Sequence, residues 1–213
     1  MENKPQMSKH PNKSNPYDEY QRLAFHPYNV FLMLLLAGIS ALFLSFLAAF
    51  IYTRIQSGMK PLKIPPLFVF NSLLLLAASY VMWSAKRSFH RDEIKRYLME
   101  LKIALGLSVV FLFLQLTAWI QLFSQNIFPE TDTSVAYLYL VSGLHLLHVL
   151  AGLPFLLAFL RRATRQLAEP VSALVYFSDP EMKLRLRLLN IYWHFLDALW
   201  LLLVGFFLVN ALL

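Results

Sequence analysis

Two short motifs place metal-binding and proton-binding side chains in strongly apolar surroundings. GLHLLHV carries His145 and His148, and IYWHFLDALW carries His194 and Asp197 at the same spacing of three. Residues three apart share one face of a helix, so each pair can act together. Imidazole binds haem iron and non-haem metals. The chemistry open to these residues is ligation of a haem or metal, or hydrogen bonding between helices, with a histidine donating to Asp197 or to a backbone carbonyl.

The rest of the sequence favours hydrogen bonding over metal ligation. A dinuclear iron site in a helix bundle needs several carboxylates, and Asp197 is the only acidic residue in any apolar segment. The chain has no cysteine, which excludes disulfides, thiolate metal sites and cysteine nucleophiles. We therefore expect no metal in this chain. We expect the three histidines and Asp197 to fix helix positions and to guide water rather than to do chemistry.

The apolar segments that carry these residues are long enough to cross a membrane as helices. Hydrophobic residues make up 58% of the 213 residues, against roughly 45–50% in soluble domains. Lipid forces backbone groups to pair within each segment, and the alternation typical of a β-barrel is missing. The sequence predicts an all-α, polytopic bundle of five transmembrane helices within residues 29–213. The predicted spans are residues 31–53, 67–85, 103–123, 136–160 and 191–212.

The charged residues predict the orientation. The N-terminal tail and the loops after spans two and four hold 16 of the 19 Lys and Arg residues, and the other side holds Arg54, Lys60 and Lys63. By the positive-inside rule the N-terminus is cytoplasmic and the C-terminus is outside. The net charge of +7 is then a topology signal and does not indicate nucleic-acid binding. Residues 1–28 are polar and lack a signal-peptide core, so we expect a disordered cytoplasmic tail.

The orientation also predicts how deep the polar residues lie. His148 is 12 residues from the cytoplasmic end of its predicted span and Asp197 is 6 residues from its own. At ~1.5 Å per residue these depths are ~18 Å and ~9 Å. The two side chains should therefore lie about one and a half turns apart, which argues against one tight site.

Other residues are typical of helix packing and helix ends. Pro154 predicts a kink in the fourth span, and Asp179-Pro180-Glu181 is a helix start signal. The fifth helix should therefore begin before its apolar part. The small residues that allow close helix approach are Ala37, Ala41, Ser45 and Ala49 in the first span and Gly152 in the fourth. The basic residues expected at lipid headgroups are Arg161, Arg162, Arg185 and Arg187.

These motifs resemble a known family. YWHFLDALW resembles the C-terminal signature of subunit III of haem–copper oxidases, and YLVSGLHLLHVLAG resembles the paired-histidine helix of that family. IPPLFVFNSLLLLAASYVMWSAKR and FLMLLLAGISALFLSFLAAFIYTR are similar to two earlier helices of the same subunit. The resemblance covers about residues 29–213. Many members have seven helices, so this chain is similar to a five-helix form that lacks the first two and one wall of a lipid-holding cleft.

The resemblance implies an accessory subunit without a redox centre. Haem and copper would belong to partner subunits, and a structural phospholipid could bind. The direct partner would be the catalytic subunit I, with subunit II and other respiratory subunits alongside, in a bacterial inner membrane. The subunit would support the durability of subunit I and its proton uptake. A membrane glutamate of many members is replaced here at about Ile39, so the role of that carboxylate does not carry over.

Two alternatives remain open at this point. A related subunit associated with nitric oxide reductase shares the subunit III pattern. A free-standing b-type cytochrome would use His145 or His148 together with His194 as axial ligands. Whether the parent enzyme oxidises cytochrome c or quinol depends on subunit II.

Overall fold

All regular secondary structure in the described part of the chain is helical. The computed structural model describes residues 27–57, 65–130 and 132–212. Its helices are α1 (Pro27–Ser57), α2 (Pro66–His90), α3 (Ile94–Ser124), α4 (Thr133–Gln166), α5 (Pro170–Ser178) and α6 (Pro180–Leu212).

Five of these helices are long and apolar enough to cross a membrane, which confirms the predicted all-α bundle with five spans. The short α5 was not predicted, and its nine residues cannot span a bilayer. All five long helices extend beyond their predicted apolar cores because their polar end turns continue the same helix. The longest extension that was not predicted is in α3, which begins at Ile94 and not near residue 103. Of the predicted tail, residues 1–26 lie outside the described residues, whereas Pro27 and Tyr28 belong to α1.

Local sequence signals explain several helix ends. Asp179 accepts a hydrogen bond from the Glu181 amide at 2.9 Å, which confirms the predicted start of α6. Asp132 caps α4 in the same way, by accepting from the Ser134 amide at 2.8 Å. Between α2 and α3 the chain turns through Asp92, whose φ of 56° is a left-handed conformation that aspartate tolerates better than most residues.

The helices α2 and α3 form an antiparallel hairpin with the largest contact of the bundle, and α6 packs on α2 and α4. We call the end of the bundle where α2 and α4 end and α3 and α6 begin the basic end. One apolar cluster fills the half near this end, around Met82, Tyr97 and Trp193. A second cluster fills the opposite half, around Phe68, Phe111 and Trp200.

The helix α1 lies at the edge of the bundle, against α4 and α6. It buries a narrow stripe of large side chains: Ile39, Phe43, Leu47 and Phe50. At the end away from the basic end, the Arg54 guanidinium donates to the side-chain and backbone oxygens of Asn210 and so joins α1 to α6.

The helix α5 closes the basic end through aromatic contacts. The hydroxyl oxygens of Tyr97 and Tyr176 are 3.2 Å apart, and the rings of Phe89 and Phe177 are 5.1 Å apart. Burial raises the pKa of the Tyr176 phenol, so this group remains a hydrogen-bond donor.

Candidate functional site in the bundle core

Two contacts determine the register of α4 against α6. Gly152 lies against the Tyr192 and Trp193 rings, and the His145 ring lies 5.0 Å from the Trp200 ring, centroid to centroid. Seven residues along α4 (152 to 145) thus correspond to seven residues along α6 (193 to 200). His148 therefore lies level with Asp197, and the predicted depth gap of one and a half turns is wrong. The ends of apolar runs do not mark equal depths, because both helices continue past them.

His194 and Asp197 meet at a serine of α2. The Ser79 hydroxyl lies 2.6 Å from Nδ1 of His194, and the Asp197 carboxyl faces the same hydroxyl. The spacing of three predicted that His194 and Asp197 share a face, and the structure places both toward Ser79. Ser79 itself was not among the predicted residues, because a single serine in an apolar helix carries no spacing signal.

His148 faces a different helix from Asp197, although the two lie at one level. Its ring lies 5.8 Å from the Phe43 ring of α1, and its Nδ1 lies 2.7 Å from the carbonyl oxygen of Leu144 on its own helix. The Tyr192 hydroxyl donates to the His148 backbone carbonyl at 2.9 Å. The two histidines of the GLHLLHV motif therefore serve separate interfaces, since His145 points into the core.

His145 is fully buried between aromatic rings. Its ring lies 5.8 Å from the Phe111 ring and is perpendicular to it, and Trp200 covers another side. Neither ring nitrogen of His145 has a hydrogen-bond partner among the described residues, and the Trp200 indole nitrogen also has none there. Leaving a buried polar group unpaired costs ~1–3 kcal/mol, so this part of the core is energetically unusual.

The structure adds a second buried carboxylate that the sequence analysis missed. Glu100 of α3 is 6% exposed; it accepts hydrogen bonds from the Ser84 hydroxyl of α2 at 2.5 Å and from Arg96 at 3.1 Å. It was missed because α3 was predicted to begin at residue 103, which assigned Glu100 to a loop. Asp197 remains the only acid in the predicted apolar segments, but Glu100 is buried as well. The Arg96–Glu100 spacing of four is the signal that could have extended the helix.

Two further polar contacts join the helices of the core. Asn71 of α2 donates to Oε1 of Gln115 of α3 at 3.1 Å, and both residues are fully buried. The Trp193 indole donates to the Ser108 hydroxyl at 3.2 Å. Each pair satisfies polar groups that would otherwise be unpaired between apolar helices.

The predicted packing residues divide into two sets. Gly152 lies in the contact between α4 and α6, where no side chain would fit. Ala37, Ala41 and Ser45 are exposed, and Ala49 is half-buried. Within this chain α1 therefore uses its large residues for packing, and its small residues face outward.

The predicted headgroup residues lie at the basic end, where they differ in exposure. Arg161 and Arg187 are exposed, Arg162 is exposed and donates to Gln166, and the half-buried Arg185 pairs with Glu181 at 2.6 Å. A cavity of about 670 Å³ at the same end is lined by His90, Lys183 and apolar residues of α5. Within residues 27–57, 65–130 and 132–212, no three His, Asp or Glu side chains come together as a metal site.

The five long helices of this chain match a known protein family. Residues 29–210 match the family model of cytochrome c oxidase subunit III, a range that includes nearly the whole of all five spans. The chain belongs to the cytochrome c oxidase subunit III family. This confirms the resemblance drawn from the sequence motifs, and it makes the chain a multi-pass membrane protein of that family.

Two relatives of this chain are subunits of oxidases that are named for different electron donors. The chain is 25% identical over 143 residues to the cytochrome bo(3) ubiquinol oxidase subunit 3 of Buchnera aphidicola, covering 66% of this chain and 68% of the relative. It is 27% identical over 176 residues to the cytochrome c oxidase subunit 3 of a Synechocystis species, covering 80% and 70%. The subunit III pattern thus occurs in relatives named for a quinol enzyme and for a cytochrome c enzyme.

Proposed function

We propose that this chain is the accessory, non-redox subunit III of a proton-pumping haem–copper terminal oxidase in aerobic respiration. The observation that carries the proposal is the family match over residues 29–210. The relatives named above are subunits of a ubiquinol oxidase and of a cytochrome c oxidase. Haem and copper belong, in this proposal, to partner subunits.

The direct partner in this proposal is the catalytic subunit I, with subunit II and other respiratory subunits in the same complex. The outward face of α1 is suited to contact a partner helix within the membrane. It combines the exposed small residues Ala37, Ala41 and Ser45 with exposed large apolar residues. Small residues allow close approach of a second helix in a membrane. The chain supports the durability of subunit I and its proton uptake from the cytoplasmic side.

We place the protein in a bacterial inner membrane with its basic end at the cytoplasm. The loops at this end carry most of the Lys and Arg residues, which the positive-inside rule assigns to the cytoplasmic face. Exposed arginines there, Arg161 and Arg187 among them, can contact lipid phosphates. A structural phospholipid at this end fits their charge.

Deletion of this chain from its host tests the proposal. We expect the membranes to keep the haem and copper spectra of the parent oxidase, with a lower turnover or a shorter lifetime under repeated cycling. Loss of the metal centres in an otherwise assembled complex would contradict a non-redox accessory role. Affinity purification of the chain in mild detergent should bring down a haem-bearing oxidase subunit.

The same purification separates the alternative functions. Recovery of nitric oxide reductase subunits in place of an oxidase would assign the chain to that enzyme. An absorption spectrum of the chain alone addresses the b-type cytochrome. We expect no Soret band, because His145 is enclosed by Phe111 and Trp200 and Nδ1 of His194 is bonded to Ser79.

A further inference from the structure

Unpaired polar atoms are concentrated in one layer of the bundle core. Eight buried side-chain nitrogen and oxygen atoms have no partner within the described part of the chain, and six of them belong to Trp200 and four residues near it. These atoms are Asn71 Oδ1, Gln115 Nε2, both ring nitrogens of His145, Asp197 Oδ2 and Trp200 Nε1. We call these five residues the Trp200 layer.

The aromatic contacts locate the Trp200 indole relative to the other residues of this layer. Trp200 stacks on Phe68 at 5.5 Å and meets Phe111 edge-on at 5.2 Å. Asn71 lies one turn from Phe68 and Gln115 one turn from Phe111, and the two amides are bonded to each other. The indole therefore lies beside the Asn71–Gln115 pair, with His145 on one side. Asp197 precedes Trp200 by one turn of α6.

The unpaired atoms balance as donors and acceptors. Neutral His145 supplies one donor and one acceptor, Trp200 and Gln115 supply donors, and Asn71 and Asp197 supply acceptors. Exchanging oxygen and nitrogen in both amides leaves this balance unchanged, because one donor and one acceptor still remain unpaired. Water can satisfy such a set because it both donates and accepts, and a buried water typically bonds to two to four polar groups.

We infer that the bundle core binds internal water in the Trp200 layer, bonded to the Trp200 indole, the His145 imidazole, Asp197 and the Asn71–Gln115 pair. The penalty for leaving all six atoms unpaired would be a large part of the free energy of unfolding of an ordinary domain. Water bonded to these atoms would remove most of this penalty. The chain thus holds a hydrated polar site within an apolar bundle.

Two tryptophans on the same helix provide a matched test of this hydration. Trp193 and Trp200 are both buried, at 3% and 1% exposure. The Trp193 indole is bonded to Ser108, whereas the Trp200 indole has no partner in the protein. Phe50 and Phe111 form a second matched pair, at 2% and 0% exposure. The Phe111 ring contacts Trp200, whereas the Phe50 ring packs against the rings of Tyr137 and Phe207.

The experiment is X-ray radiolysis of the purified complex, which generates hydroxyl radicals from bound water, followed by mass spectrometry. We expect Trp200 to be oxidised several-fold faster than Trp193, and Phe111 several-fold faster than Phe50. Equal rates within both pairs would overturn the inference, because they would show that the layer is dry.

The variant His145→Phe then tests the binding site. It keeps a buried ring but removes two of the water-bonding atoms, so the oxidation rate of Trp200 should fall toward that of Trp193. A Trp200 rate that stays high in a normally assembled variant would show that His145 does not hold the water. If the variant fails to assemble, the comparison of the two tryptophans in the unsubstituted complex still decides the inference.

Discussion

Gly152 is the described glycine with the least room for a side chain. A Cβ at this position would lie 2.7 Å from Tyr192 Cε1 and 2.8 Å from Trp193 Cζ3. Both atoms belong to rigid rings, and each ring makes a hydrogen bond that holds it in place, Tyr192 to His148 and Trp193 to Ser108. A side chain here would have to move both rings.

We expect Gly152→Ala to destabilise the chain by ~1–3 kcal/mol, the usual range for overpacking a well-packed core. Thermal unfolding of the purified chain in detergent measures the change. The control is Gly205→Ala, where a Cβ meets nothing within 4 Å. That substitution should leave stability unchanged or raise it by about 0.5–1 kcal/mol, because alanine favours a helix over glycine. Equal effects of the two substitutions would contradict the assigned contact.

Asp197 is the residue for which hydrogen bonding and ion pairing predict different results. It faces the Ser79 hydroxyl, and none of the ion pairs between described residues includes it. We expect Asp197→Asn to insert into the membrane and associate with partner subunits almost normally, because asparagine keeps a carbonyl oxygen in the same place. Removing one member of a buried ion pair would instead cost ~3–5 kcal/mol.

The measurement is co-purification of the Asp197→Asn chain with the haem-bearing subunits, compared with the unsubstituted chain at equal expression. A variant that inserts but fails to associate would show that the charge itself is needed. His194→Gln is a useful companion, because it removes the other partner of Ser79 without touching a charge at Asp197.

The residue scale also shows what spacing can and cannot predict. The i, i+3 spacing identified His194 and Asp197 as neighbours, because it depends only on helix geometry. It did not identify Ser79, Asn71 or Glu100 as partners, since these contacts depend on how two helices align. The error in the relative depth of His148 and Asp197 has the same cause. Register between helices is determined by side-chain packing, such as the fit of Gly152 against Trp193.

At the scale of elements, the hairpin of α2 and α3 has a polar connection near the basic end. The Ser84 hydroxyl donates to Glu100, and the second carboxylate oxygen of Glu100 has no partner in the protein. Both residues are buried, at 7% and 6% exposure. This hydrogen bond therefore stabilises a carboxylate that is costly to bury. Its loss should lower the stability of the chain mainly when Glu100 is present.

We expect Ser84→Ala to cost about 1–3 kcal/mol, because it removes one of the two hydrogen bonds that Oε1 of the buried Glu100 accepts and leaves only the bond from Arg96. The double variant Ser84→Ala with Glu100→Leu should cost less than the sum of the two single variants, since no buried acid remains. A thermal unfolding cycle of the four chains measures this coupling. Ser45→Ala is the control, because Ser45 is exposed and bonds only within its own helix. Additive costs in the cycle would contradict the connection.

Helix extents were predicted less well than helix existence. Apolar runs locate the hydrocarbon-spanning parts of a helix, so all five spans were found. They do not locate the polar turns that continue past the membrane, and this is why Ile94 was missed as the start of α3. The start of α6 was predicted because Asp179-Pro180-Glu181 is a local capping signal that does not depend on hydrophobicity. The short α5 has an apolar sequence but no such polar cap to mark it, since Glu169 makes no side-chain capping bond.

At the scale of the whole molecule, the bundle has two chemically different ends. The basic end carries the turn between α2 and α3, the end of α4 and the start of α6, where most of the described Lys and Arg residues lie. At the opposite end, Arg54 donates to Asn210 and so has a partner inside the chain. Of the described Lys and Arg residues, Arg54 is therefore the one that lies at this opposite end.

This asymmetry predicts the topology of the protein. With five spans and a cytoplasmic basic end, the C-terminus must lie on the outer face of the membrane. A periplasmic reporter enzyme fused after Leu213 should be active, and a fluorescent reporter that folds only in the cytoplasm should be dark at that position. The matched control is a truncation fused after Arg91, after two spans, where the two reporters should give the reverse result.

A cytoplasmic signal after Leu213 combined with the expected control would mean that one of the five long helices does not cross the membrane. Reversal of both positions would instead show that all five cross in the opposite direction, and the basic residues would then need another role.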